Sequence, residues 1–445
     1  MIMKLKSRLF LCSFSFFSAL GAQPVEQGSH HGLLNKNDYA FLEGMTKAVL
    51  ENARLYPGDK GNNHTGGVLI RPGGAYPSFW IRDYAMSLES GLIVRKEQEH
   101  MLLLTASTQC DQTWITHGGS LVPYGAIADH IRTDDGLPIF FPGTYNYQEQ
   151  GTPAYGKAPP YDDQFYFIHM GYYFVKNYAA TPLLFRKIKG RKLIDRMEIA
   201  FQVPPSHEIN DIVYTTDDFR GVDFGFRDVE VITGDLCFTS ILKYRASQEM
   251  ADLFELLGDK KKSVKYRSIS EHIKKAIPGL FADEHGLLRA STGKSHQPDV
   301  WGTALAVYFS ILNGKTEQEA CLALTRAYEN KTLSWKGNIR HVLTSDDFND
   351  STAWAYSLAS KNTYQNGAYW GTPTGWVCYA MAKVNRSAAH QLASEYIRDL
   401  METDFRKGGD FRGPYECVHL PDYKQNPVYL TTVSCPYAVF RSMAK

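Results

Sequence analysis

The chain has 445 residues, and its 48 lysines and arginines are balanced by 47 aspartates and glutamates. Such a balance produces no strong electrostatic field of one sign, which argues against nucleic acid or an anionic membrane surface as the main partner. The length is sufficient for a large buried core.

The first 22 residues have the order of a secretory signal peptide. Lys4, Lys6 and Arg8 precede an apolar run over residues 9–20, and Gly21 and Ala22 follow it. The run is shorter than the roughly 20 apolar residues that span a bilayer. No later stretch is apolar and long enough for that, so we expect no integral membrane span. The sequence therefore predicts a leader at residues 1–22 and an exported protein, periplasmic or secreted, that begins at residue 23.

Six cysteines follow the predicted leader, and none of them belongs to a C-x-x-C pair. This spacing does not favour a zinc cluster, and neither a metal nor an organic cofactor is expected. An oxidising compartment would allow one or two disulfides, although buried free thiols are the expected state. The six are Cys110, Cys237, Cys321, Cys378, Cys417 and Cys435.

Apolar residues recur mainly at helical spacing along the rest of the chain. The pattern predicts about twelve helices, over residues 37–55, 84–117, 163–176, 182–201, 234–257, 260–280, 299–312, 316–328, 351–359, 374–383, 387–405 and 429–443. Some connections are short, as at Gly258 and Asn313, whereas those at 58–82, 133–162, 203–233, 333–350 and 408–427 are long and rich in Gly, Pro, Asp, Trp and Tyr. Long loops in a compact domain are usually functional. We therefore predict an all-α single domain over residues 23–445, an (α/α)6 toroid of six helical hairpins with long loops at one mouth. A helical repeat array is the alternative, but no fixed sequence period supports it.

The first chemically suggestive run is WIRDYAM at residues 80–86. Trp80 offers a stacking face, and Arg82 offers a fork of donors to neighbouring hydroxyls. Asp83 could instead cap a helix, with Arg82 in a buried salt bridge. The run resembles the W-x-R-D-x-A motif of glucoamylases and related six-hairpin glycosidases. The resemblance implies an (α/α)6 glycoside hydrolase in which Arg82 and Asp83 hold the sugar without transferring a proton.

Adjacent acids and an acid-rich loop follow in the middle of the chain. Asp162 and Asp163 stand where a long loop enters a helix, and they either contact sugar hydroxyls or cap that helix. The run GVDFGFRDVE at residues 221–230 contains Asp223, Asp228 and Glu230. It resembles the D-x-G-F-x-D segments of rhamnosidase-like six-hairpin enzymes, which implies that the general acid lies in this loop.

A general acid needs a carboxyl group that burial or nearby negative charge keeps protonated. We assign that role to Asp228. Asp223 and Glu230 remain candidates for it and are otherwise expected to contact the substrate. Calcium binding or helix capping is the structural alternative for all three.

The run YQNGAYWGTPTGW at residues 364–376 resembles a late segment of many (α/α)6 glycosidases, N-G-x-x-W-x-x-P-x-x-W, whose rings form one wall of the pocket. The resemblance implies a sugar-stacking role for Trp370, whereas Trp376 is expected in the core. Glu416 lies in GPYECVH at residues 413–419, where six-hairpin hydrolases often place the general base. His419 or Asp422 could orient it. A buried, hydrogen-bonded Glu416 without a catalytic role is the alternative.

The order of these runs matches the six-hairpin superfamily over essentially the whole mature length. The resemblance implies inversion, with Asp228 protonating the glycosidic oxygen and Glu416 activating water, at a carboxyl separation of roughly 6.5–9.5 Å. We expect exo-action on an oligosaccharide or polysaccharide. The aromatic content of 13% fits sugar binding or a large aromatic core.

Three other classes remain open. A polysaccharide lyase of the same toroid shape would use a Tyr or His base. An epimerase would use paired His residues and would be cytosolic, which the leader disfavours. A sugar-binding barrel without catalysis would use these acids only structurally.

Overall fold

A computed structural model of the chain describes residues 32–58, 63–74 and 76–444, so the predicted leader lies outside the described residues. Twelve α-helices occur in this part: α1 Lys36–Ala53, α2 Ile81–Ser87, α3 Arg95–Thr108, α4 Asp162–Tyr178, α5 Leu193–Phe201, α6 Cys237–Leu256, α7 Lys260–Phe281, α8 Val300–Tyr308, α9 Gly314–Glu329, α10 Thr374–Ala382, α11 Arg386–Thr403 and α12 Leu430–Met443. None of the described helices is long and apolar enough to cross a membrane.

Short strands form small antiparallel sheets in the connections. They are β1 Arg54–Leu55, β2 Leu69–Ile70, β3 Ser78–Trp80, β4 Trp114–Ile115, β5 Leu121–Val122, β6 His130–Arg132, β7 Pro138–Ile139, β8 Lys187–Ile188, β9 Arg191–Lys192, β10 Tyr214–Thr215, β11 Gly234–Asp235, β12 Ser334–Trp335, β13 Asn338–Ile339, β14 Tyr415–His419 and β15 Tyr423–Pro427. Most pair as two-stranded hairpins, and β3, β6 and β7 form a three-stranded sheet in that order.

The even-numbered helices form a closed inner ring. Each packs on the next, from α2 through α4, α6, α8 and α10 to α12, and α12 packs back on α2. The odd-numbered helices lie outside: α1 on α12, α3 and α5 on α4, α7 on α6, α9 on α8 and α10, and α11 on α10. This arrangement is the (α/α)6 toroid, so the predicted fold is confirmed.

The sequence of each helix matches its layer. In α8 every residue from Val300 to Val307 is buried, as an inner helix surrounded by other helices requires. The outer helix α7 instead buries one stripe at spacings of three and four residues: Ser263, Tyr266, Ile269, Ser270, Ile273, Ile277 and Phe281. The tight connection between α6 and α7 is also explained locally. Gly258 takes a φ of +75°, and the Asp259 side chain caps α7 by accepting from the Lys262 N–H at 3.0 Å.

Three predicted helices differ from the structure. The predicted helix 84–117 is two helices, α2 and α3, with Gly91 between them at a φ of +70°. The predicted helix 182–201 begins only at Leu193, because a short 3-10 turn and the β8–β9 hairpin precede it. The predicted helix 351–359 is wrong. Backbone groups of that segment bond outside it, since Ala353 N–H donates to Asn366 Oδ1 at 2.8 Å and Tyr356 accepts from Val231 N–H at 3.0 Å.

All six cysteines named above are buried and carry free thiols, as expected.

Candidate active site

The first residues of α2 and α4 meet at one mouth of the toroid, together with the residue that precedes α12. Arg82 in the first turn of α2 contacts Asp162 at the start of α4. Tyr429, which precedes α12, donates its hydroxyl to Asp83 of α2 at 2.7 Å. Because the N-terminal ends of helices carry partial positive charge, this mouth favours carboxylates.

Arg82 lies at the centre of a buried group of carboxylates. Its guanidinium nitrogens approach Asp129 at 2.8 Å, Asp162 at 2.8 Å and Asp163 at 2.6 Å. Three carboxyl groups thus share one guanidinium, and all four side chains are buried. Burial raises the pKa of Asp163 well above its usual value, although Arg82 opposes the shift. Asp162 and Asp163 thus bind Arg82, and this contact fixes α2 against α4.

Asp162 also positions the predicted acid loop. Its Oδ2 accepts from the Gly225 N–H at 3.1 Å. Gly225 packs so closely that a Cβ there would lie 1.9 Å from the Arg82 guanidinium carbon. Only glycine fits this approach, so the glycine of the D-x-G-F-x-D pattern has a packing reason.

Two of the three carboxylates in that loop are engaged in the fold. Asp223 pairs with Arg227 at 2.6 Å, and Arg227 also pairs with Asp299 at 2.7 Å. Burial raises the pKa of Asp223 to about 6, and Arg227 opposes this shift. Glu230 accepts from the Ser357 hydroxyl at 2.9 Å and is almost fully buried. Asp223 and Glu230 are therefore buried and bonded to other parts of the fold.

Asp228 has no cationic partner in the described structure. The Gln365 side-chain amide donates to Asp228 Oδ1 and, at 3.2 Å, to the Gly225 carbonyl. The Gln365 carbonyl accepts from the Val229 N–H at 3.0 Å, and this contact fixes the orientation of the amide. Burial raises the pKa of Asp228 to about 7, and the bond from Gln365 opposes the shift. Asp228 therefore keeps its proton to a higher pH than an exposed aspartate does.

Glu416 lies on β14 and is fully buried. It accepts from the Tyr76 hydroxyl at 3.0 Å and from the side-chain amide of Asn426, which lies on the paired strand β15. Burial raises the pKa of Glu416 to about 8, the bond from Asn426 lowers it, and the charge of neighbouring Asp83 raises it. Burial similarly raises the pKa of Asp83 to about 7, opposed by the bond from Tyr429.

Asp228 and Glu416 both raise the pKa values of the same two tyrosines, Tyr145 and Tyr364. Burial raises the pKa of Tyr145 to about 12, and the charges of Asp129, Glu416 and Asp228 add to the effect. Burial also raises the pKa of Tyr364 well above its usual value, with further contributions from Asp228 and Glu416. Both carboxylates thus lie close enough to Tyr145 and Tyr364 to raise the pKa of each tyrosine, and the region around these four residues is called the cleft below.

The aromatic rings near this cleft differ in their contacts and in their burial. Trp80 stacks on His130 with ring centroids 4.4 Å apart, and Tyr76 meets Trp80 edge-on at 4.7 Å. Trp370 is fully buried and stacks on Phe226 at 5.5 Å. A sugar stacks on an exposed ring face, and Trp370 presents none. Its position favours packing beneath the acid loop, and the predicted stacking role stays a prediction.

The structure thus gathers most of the predicted residues at one mouth. Those that meet around the cleft are Trp80, Arg82, Asp83, Asp162, Asp163, Asp228 and Glu416. His419 does not orient Glu416, because its Nδ1 contacts the Leu420 carbonyl at 2.7 Å and its ring stacks on Tyr369.

Sequence reasoning missed several residues that contact the predicted ones. Gln365 stood inside the run at residues 364–376, and Tyr76 lies four residues before the run at 80–86, so these two runs could have drawn attention to them. Asp129, Asn426 and Tyr429 carried no pattern, since each reaches the cleft only through folding.

No protein-family model matches the chain, and no curated protein matches it in sequence. Solved structures do match its fold. A rhamnosidase from Klebsiella oxytoca with rhamnose bound has a TM-score of 0.56 at 11% identity, over 93% of this chain and 65% of that one. A wild-type glycosidase gives 0.55 at 12%, over 92% of this chain and 99% of that one. A GH63 mannosylglycerate hydrolase from Thermus thermophilus, in complex with glucose, gives 0.53 at 12%, over 90% and 99%.

These similarities establish a class of fold. The chain has an (α/α)6 toroid, the fold that these structures share and that the motif resemblance implied. This chain spans 65% of the length of the rhamnosidase.

Proposed function

We propose that the chain is an exported, inverting, exo-acting glycoside hydrolase in which Asp228 is the general acid and Glu416 the general base. One observation supports the proposal: two buried carboxyl groups with raised pKa values, held by different loops, lie close enough to Tyr145 and Tyr364 to raise the pKa of both tyrosines. The structures with the same fold include glycosidases, which supports a sugar substrate.

Asp228 and Glu416 would act at opposite faces of the sugar ring. Gln365 occupies Oδ1 of Asp228, so Oδ2 is the oxygen free to carry the proton. That proton passes to the glycosidic oxygen as the bond from this oxygen to the anomeric carbon breaks. Glu416 takes a proton from water, and the water oxygen bonds to the same carbon. Asp83 and Trp80 hold the ring that is cleaved.

The productive form needs Asp228 protonated and Glu416 ionised. With pKa values of about 7 and about 8, this combination is a minor fraction of the free enzyme. It is most abundant between these two values. We therefore expect kcat/KM to rise with pH up to about 7 and to fall above about 8.

The test is hydrolysis of an oligosaccharide panel by the mature protein beside Asp228→Asn and Glu416→Gln. Either substitution should lower kcat/KM by at least about a hundredfold. Glu208→Gln, at an exposed position, is the matched control and should leave the rate unchanged. An unsaturated, ultraviolet-absorbing product would indicate a lyase instead. Binding without cleavage by any of the proteins would indicate a sugar-binding barrel.

Stereochemistry, exo-action and export have separate readouts. The NMR spectrum of the first product formed distinguishes an inverted from a retained anomer. Release of single terminal units from an end-labelled oligosaccharide supports exo-action, whereas random shortening contradicts it. Mass analysis of the protein from fractionated cells determines whether residues 1–22 are removed and in which compartment the protein lies.

A further inference from the structure

A groove adjoins the residues of the proposed active site. Its volume is about 350 Å³, and its walls include Leu55, Arg71, Ser78 and Arg132. Tyr76 and Tyr145 also line it. Tyr76 donates to Glu416, and Tyr145 lies within electrostatic range of Asp228, so the groove and the cleft meet at these two rings.

Arg71 supplies unused hydrogen-bond donors to this groove. Its backbone follows β2 and is fixed by the bond from its N–H to the Ala53 carbonyl at 2.9 Å. Among the described residues the Arg71 guanidinium meets no carboxylate, carbonyl or hydroxyl acceptor, and its Nε is buried. Burial also lowers the pKa of Arg71. A buried donor without an acceptor costs free energy that a bound acceptor would recover.

Two buried arginines of the described chain differ from the half-buried Arg71, because acceptors meet their guanidinium groups. Arg196 donates to the Ile188 carbonyl at 2.6 Å, and Arg340 donates to Asp347 at 2.7 Å. The neighbouring Arg132 is matched as well, since it pairs with Asp134 at 2.7 Å. Arg71 therefore contributes the unmatched positive charge of the groove.

We propose that Arg71 binds a carboxylate or sulfate group of the substrate, so that the glycoside hydrolysed here is an anionic one. The planar guanidinium presents parallel donors that match the oxygens of these groups. The inference rests on the proposed hydrolase function, because it places a second part of the same substrate in the groove. The anion is carried either by the leaving group or by the sugar.

Two matched substrate pairs distinguish these sources. The first compares the glycosides of 4-methylumbelliferone and of 7-hydroxycoumarin-4-acetic acid on one sugar, which differ by a carboxylate on the leaving group. The second compares 4-methylumbelliferyl glucoside with the glucuronide, which differ by a carboxylate on the sugar. Each pair is measured with the wild type, Arg71→Met, Arg71→Lys and the control Arg191→Met, an exposed arginine on β9.

We expect one pair to show at least a roughly tenfold preference of the wild type for the anionic member in kcat/KM. Arg71→Met should remove that preference while changing the rate on the neutral member less than about threefold, and Arg71→Lys should restore part of it. Arg191→Met should behave as the wild type. The responding pair identifies whether the leaving group or the sugar carries the anion.

Two outcomes would overturn the inference but not the proposed hydrolase function. In one, the wild type hydrolyses neutral glycosides and shows no preference for the anionic members. In the other, a preference exists but Arg71→Met retains it. Hydrolysis of no glycoside would overturn the proposed function instead. In that case, calorimetric titration with sulfate determines whether the groove binds an anion. Binding by the wild type that Arg71→Met loses supports an anion site, and equal heats in both proteins exclude one.

Discussion

At the scale of single residues, Tyr76 connects the cleft chemistry to a measurable pH profile. Its hydroxyl bond to Glu416 favours the ionised carboxylate and so lowers the pKa of Glu416. In Tyr76→Phe this bond is lost, while the ring contact with Trp80 can persist. We expect the alkaline limb of kcat/KM to move above about 8 and its maximum to fall several-fold, because less Glu416 is ionised. Tyr124→Phe, at an exposed tyrosine, should leave the profile unchanged.

The raised pKa of Asp228, which its proposed role as general acid requires, should lower the stability of the folded protein. Its pKa is about 7 in the folded chain and about 4 when unfolded, so ionisation is harder in the native state. The native state therefore loses stability as pH rises from about 4 to about 7, by up to about 4 kcal/mol. Asp228→Asn removes this loss. Thermal unfolding should show the variant more stable than the wild type at pH 8 and equal to it near pH 4, whereas equal Tm differences at both values would contradict the pKa assignment.

At the scale of elements, the acid loop depends on one close contact. Gly225 lies against Arg82, and a Cβ there would overlap the guanidinium. Gly225→Ala must displace the acid loop or Arg82, so we expect a loss of activity of at least about a hundredfold and a lower Tm. Gly279→Ala, at a glycine of α7 where a Cβ would meet nothing, is the matched control and should be neutral or slightly stabilising. Full activity of Gly225→Ala would show that the loop tolerates the shift.

The helices show which parts of the fold the sequence could predict. Amphipathic helices such as α7 have a strong apolar period and a cap, and their predicted ends lie within one or two residues of the structure. The predicted helix 351–359 failed because its backbone partners, Asn366 and Val231, are distant in the chain. The same distinction between local patterns and long-range contacts applies to the residues of the site. Arg82 and Asp228 stood in recognisable local patterns, whereas Asp129 and Asn426 are brought to the cleft only by long-range packing.

At the scale of the whole molecule, closure of the ring makes distant parts depend on one another. The last inner helix, α12, packs on both α1 and α2, and the hydroxyls of Ser87 and Ser434 meet across that contact at 2.8 Å. Since no inner helix is complete without its two neighbours, we expect a single unfolding transition. Circular dichroism and tryptophan fluorescence should give coincident denaturation curves. Separate transitions would show that parts of the ring fold independently.

The complete burial of Glu416 has a consequence for turnover. In the resting molecule, Tyr76 and Asn426 bond to this carboxylate, so bulk water does not reach it. We infer that the attacking water reaches Glu416 only after the Tyr76 ring moves aside. We expect the rate of that opening to limit kcat, so that added viscogen slows turnover of even the most reactive aryl glycosides. The entrance, more than bond cleavage, would then set how fast the protein works.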